Sequence, residues 1–193
     1  MKLAQIITGA AAVVLVPLAA SAHPGLPGHM HGFAYGFAHP FSGLDHLLAM
    51  VGVGLFAAHL GGRALWLVPL SFVSVMVLAA IAGMSGIVLP FAEIGIALSV
   101  VALGLALAFQ ITMPVSLGAA LVAFFAIFHG YAHGAEVPAT ISGLSFGLGF
   151  VCATLLLHSI GVGLGLMAAR TDGRAIQLGG AVMAVTGLAL VFS

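Results

Sequence analysis

Six long apolar stretches follow one another along this chain with almost no charge to break them, and that pattern leaves few folds open. They run at about 41–60, 64–83, 93–110, 114–132, 140–168 and 175–192, separated by glycine, proline and a handful of charged side chains. Each is long enough to cross roughly 30 Å of hydrocarbon at about 1.5 Å of rise per helical residue. Soluble domains carry about 25% charged residues. Here four basic and four acidic side chains serve 193 residues, and the mean hydropathy is +1.32. The expected fold is therefore an all-α integral membrane protein with six transmembrane helices, most of its surface facing the lipid bilayer.

The same scarcity of charge excludes several functions. Lys2 is the only lysine, so no basic stripe can neutralise a nucleic acid and no Walker phosphate-binding loop can be written. A single cysteine, Cys152, excludes an intramolecular disulfide framework and any cysteine-cluster zinc or iron–sulfur site. HExxH is absent, so zinc-peptidase chemistry has no support and no enzymatic activity is expected. The over-supplied polar residue is histidine, with nine.

Residues 1–22 read as a signal peptide: Lys2, an apolar core from Ile6 to Leu18, then Ala20-Ser21-Ala22 as a small-residue cleavage site. An uncleaved first helix is the alternative reading. Cleavage would leave a single six-helix domain, 23–193, headed by a short histidine-containing segment, 23–32, in the periplasm of a Gram-negative cell. Positive charge accumulates in cytoplasmic loops. With the N-terminus outside, Arg63, Arg170 and Arg174 all fall on the cytoplasmic side of the inner membrane, so leader and arginines agree. No internal repeat is evident, although six spans are compatible with a three-plus-three inverted arrangement.

The chemistry gathers in two clusters. The first, His39-Pro40-Phe41-Ser42-Gly43-Leu44-Asp45-His46, opens the first span, where Pro40 predicts a break near His39 to Gly43. Ser42 and Asp45 have the spacing of a helix capping box, which would explain them without a ligand but leaves the two histidines unexplained. The second, Phe128 to Glu136, closes the fourth span and sets His129, His133 and Glu136 at i, i+4 and i+7 on one helix face. With alternating spans both clusters lie toward the outer face. GxxxG spacings at 143/147 and 161/165 read as helix packing.

Charge balance points to a cation. Asp45 and Glu136 carry two negative charges, each costing about 2.5–3.5 kcal/mol at the bilayer centre. One divalent ion would cancel both. Imidazole ligands favour nickel, cobalt, copper or zinc over magnesium and calcium, and the absence of thiolates suits an ion that must leave again.

Together HPFSGLDH and FHGYAHGAE, behind a cleavable leader and across six short spans, resemble the HupE/UreJ family of hydrogenase and urease accessory membrane proteins. The resemblance covers essentially the whole mature chain. It implies a secondary permease for Ni²⁺, or for Co²⁺ in some members, supplying metalloenzymes, with the ion as transported substrate and no organic cofactor. It places His39, Asp45 and His46 in the first family motif and His129, His133 and Glu136 in the second. The first motif also resembles the HxxxxDH element of the larger nickel/cobalt transporter family, but five residues rather than four separate His39 from Asp45, so that topology is not carried over.

Other residues are candidates for the ion's route. His158 lies deeper in the fifth span, while His23, His29 and His31, with Met30 beside them, could capture scarce ions or simply belong to a Pro/Gly-rich leader. Met30 keeps copper open as a substrate, because thioethers suit Cu(I). His59 reads as an interfacial residue, Glu93 as an acid favoured at a helix N-terminus. Two further functions fit the residue types: a non-transporting metal sensor or assembly factor, and an electron carrier binding haem through paired histidines. A homo-oligomer is one form the protein could take.

Overall fold

A computed structural model describes residues 31–137, 140–170 and 173–192. The leader and the capture candidates His23 and His29 lie outside the described residues, as does the side chain of His31. Regular structure among the described residues is helical throughout: α1 (His31–Ala38), a 3₁₀ turn (His39–Phe41), α2 (Leu44–Leu60), α3 (Ala64–Met84), α4 (Ala92–Ala108), α5 (Val115–Ala135), α6 (Gly143–Ala168) and α7 (Arg174–Val191). Helices α2 to α7 coincide with the six apolar stretches to within a few residues. Four of them, α3, α5, α6 and α7, are long and apolar enough to cross a membrane; α1 and α2, bent by 82° at the break between them, are so only when taken together. Helix α4 is apolar but shorter, at 17 residues. The protein is thus a multi-pass, all-helical membrane protein.

These sequences form helices because a lipid environment offers backbone amides no other partner. Even the hydroxyls are satisfied locally: Ser71 donates to the Leu67 carbonyl at 2.7 Å and Ser159 to that of Leu155 at 2.7 Å. Large apolar side chains face both ways. Phe56, Phe72, Met50 and Met76 fill the interior, while Leu78, Leu178, Val182 and Val185 point outward, as a lipid-facing surface requires.

The break expected at Pro40 is present. Proline supplies no amide to continue α1, the chain tightens into the 3₁₀ turn, and Gly43 then adopts an extended conformation (φ −111°, ψ 129°) before α2 begins. The capping box is not what Ser42 and Asp45 form. Ser42 donates to the His39 carbonyl at 2.6 Å, and the residue that caps α2 is Gly43, with no side-chain cap.

Small residues set how the helices pack. A Cβ on Gly161 would strike Val51 and Gly54, and one on Gly165 would strike Ala58, so contacts climb α2 and α6 in step and the two run parallel. Likewise Gly130 abuts Met76 and Gly134 abuts Ala80, making α3 and α5 parallel. Gly104 meets Ala184, Gly180 meets Ala108 and Gly187 meets Val101, so α4 and α7 are antiparallel. Of the two GxxxG spacings in α6, Gly161/Gly165 is a packing face, whereas nothing among the described residues lies near Gly147.

Candidate metal centre

The break after α1 and the end of α5 bring the two sequence clusters to one end of the bundle. His39 comes from the 3₁₀ turn, Asp45 and His46 from the first turn of α2, His129 and His133 from the last two turns of α5, and Glu136 from the residue capping it. Ligand atoms of His46, His129 and His133 lie within 4.8 Å of one another, and so do those of His39, His133 and Glu136. His133 belongs to both groups. Its ring centroid is 4.4 Å from that of His46 and 4.9 Å from that of His39.

The two groups differ in access. His129 and His133 are buried, at 0% and 2% exposure, whereas Glu136 stands largely in the open and meets His39 Nε2 at 3.3 Å. Phe146 and Phe150 wall the site, the Phe150 ring lying 4.1 Å from that of His133. An apolar cavity of about 420 Å³ between α3, α5 and α6 extends to His133.

Hydrogen bonds settle which imidazole nitrogens are left to bind. Asp45 Oδ1 lies 2.7 Å from His46 Nδ1; a carboxylate accepts, so Nδ1 carries the proton and Nε2 presents its lone pair. His46 Nε2 is buried and has no partner among the described residues. A parallel arrangement holds His129. Ser99, in α4, donates to the Ile96 carbonyl at 2.6 Å and so accepts from His129 Nε2 at 3.0 Å, leaving His129 Nδ1 as the free, buried lone pair. Both nitrogens of His133 are buried without a partner among the described residues. Metal-binding histidines characteristically donate their other N–H to such a carboxylate or oxygen, which fixes the ring and raises its basicity.

Asp45 therefore stands behind His46 and belongs to neither three-residue group, although its residue type also suits a ligand. The i, i+4, i+7 stripe divides: His129 and His133 face inward, while Glu136 leaves the helix and turns to His39. Ser99 is the functional candidate that sequence reading missed. A lone serine in an apolar helix carries no signal until the partner helix is placed beside it. Among the remaining candidates, His158 is buried in α6 with its ring 5.3 Å from Phe72 and belongs to neither group. His59 makes a 3.1 Å contact with the Ile111 carbonyl, and Glu93 sits exposed in the first turn of α4.

A helical multi-pass protein with a buried histidine cluster backed by oxygen acceptors has the features of a membrane protein that handles transition-metal ions. The chain belongs to the HupE/UreJ family: the family model described as HupE / UreJ protein matches residues 11–190. It is 45% identical to Protein HupE of Rhizobium leguminosarum bv. viciae, over 96% of this chain and 100% of that protein. No solved structure matches.

Proposed function

We propose that this protein is a secondary permease that takes Ni²⁺, or Co²⁺, across the bacterial inner membrane for metalloenzyme maturation. The observation that carries the reading is the convergence of His46, His129 and His133, with the lone pairs of His46 and His129 directed by Asp45 and Ser99. His39 and Glu136, the more open pair, receive the ion; His133, common to both groups, hands it to the buried one. Asp45 and Glu136 offset the ion's charge, which an apolar interior would otherwise reject. Neutral imidazoles and a carboxylate hold a borderline dication without the grip of thiolates, so the ion can leave again.

A six-span topology accommodates this site. Helices alternating in direction from α2 to α7 require α2 and α6 parallel, α3 and α5 parallel, and α4 and α7 antiparallel, and the glycine contacts agree with all three relations. Helix α4 rises about 25 Å, within the range of short spans. On this topology the metal cluster faces the periplasm, and Arg63, Arg170 and Arg174 face the cytoplasm. Removal of the leader 1–22 would place 23–32 in the periplasm, with His23, His29 and His31 positioned for capture.

The test is uptake of radiolabelled Ni²⁺, competed with Co²⁺, Cu²⁺ and Zn²⁺, in metal-limited cells expressing the protein or its Asp45→Asn and His133→Ala variants at matched membrane levels. Accumulation by the unsubstituted protein, lost in both variants, is the expected result. Accumulation no higher than in cells lacking the protein would refute the permease and leave metal sensing or assembly as the better account.

A further inference from the structure

His158 poses a separate problem. It is 2% exposed, both its ring nitrogens are buried, and neither has a partner among the described residues. Buried polar groups are normally satisfied, and in hydrocarbon an unsatisfied one costs several kcal/mol. One helical turn away on the same face of α6 lies Thr154, fully buried, which donates to the Phe150 carbonyl at 2.9 Å. Two thioethers converge on its hydroxyl: Met50 Sδ of α2 at 3.5 Å and Met76 Sδ of α3 at 4.0 Å. Phe72, one turn from Met76, packs its ring against both His129 of the outer cluster (5.4 Å) and His158 (5.3 Å). Three helices thus bring an imidazole, a hydroxyl and two sulfur atoms into one buried region that begins at the level of His129, where Met76 abuts Gly130, and continues along α6 to His158.

We infer that His158, Met50, Met76 and Thr154 form a second, inner station for the transported ion, and that its thioethers favour soft and borderline transition metals over hard ones. The inference rests on the permease reading. All four donors are neutral, so a dication there is held without charge compensation and dwells briefly, which is what an ion on its way out requires. Mg²⁺ and Ca²⁺, which need several oxygen ligands, would find one hydroxyl.

The experiment uses purified protein in proteoliposomes, with Cys152 changed to serine because its exposed thiol would itself bind soft metals. Met50→Leu/Met76→Leu removes both sulfurs at nearly constant volume, and His158→Gln removes the imidazole. Expected are a fall of roughly tenfold in ⁶³Ni²⁺ uptake in either variant, unchanged Ni²⁺ affinity at the outer cluster by titration in detergent, and weaker inhibition of uptake by Ag⁺ in the methionine variant. Uptake and Ag⁺ inhibition equal to the parent's would overturn the inner station while leaving the permease intact. Loss of outer affinity in the methionine variant would also overturn it, because the two stations are then not separate. A parent protein that moves no nickel would instead refute the permease itself.

Discussion

Ser99 is a small residue with a large assignment. Its one proton is committed to the Ile96 carbonyl, so its oxygen can only accept from His129, and that decides which nitrogen faces the cluster. Ser99→Ala should lower Ni²⁺ affinity by about 10–100-fold, the usual effect of losing such an orienting partner. Ser99→Thr, which keeps the hydroxyl, should retain most of it; isothermal titration of the two purified variants checks this. Asp45 plays the corresponding part for His46. Sequence spacing alone could not separate a ligand from the group that orients it, because both roles suit a carboxylate beside a histidine. The histidines themselves were legible for the opposite reason, since an imidazole in an apolar span has few uses that do not involve a partner.

Within the helices, glycines divide into those that touch another backbone and those that touch nothing. Adding a methyl at Gly134 or Gly161 forces it into the carbonyl of Ala80 or Val51, so Gly134→Ala and Gly161→Ala should each destabilise by about 1–3 kcal/mol. Gly147 and Gly163 have open space around them. Gly147→Ala and Gly163→Ala should leave stability unchanged or raise it by up to about 1 kcal/mol through better helix propensity. Thermal unfolding in detergent distinguishes the two pairs. The residue pattern could not: 143/147 and 161/165 share a spacing, but only the second faces α2. The break at Pro40 was legible because a missing amide acts wherever it occurs, regardless of the neighbours. Where α1 packs was not, since its contact with α6, through Gly36 and Gly149, depends on a helix more than a hundred residues away.

For the molecule as a whole, acid should weaken capture. Protons and metal compete for the same imidazole lone pairs, so the apparent Kd for Ni²⁺ of the purified protein should rise as pH falls from 7 to 5. A Kd that stays constant across that range would argue against histidine ligation. Topology can be tested in cells: reporters fused after Arg63 and after Gln110 should both read cytoplasmic, as the contact between His59 and the Ile111 carbonyl requires of two segments at the same end. The six helical segments were legible as apolar runs. Their pairing was not, because hydropathy says that a helix meets lipid without saying which helix it meets.

His133 has a consequence for traffic. Two dications held on opposite sides of one imidazole would sit about 6 Å apart and repel by on the order of 10 kcal/mol at an effective dielectric of about 20. In the permease proposed above, the ring would admit one cation per passage, so initial uptake rates should follow a simple hyperbola in external nickel, with no sigmoidal onset.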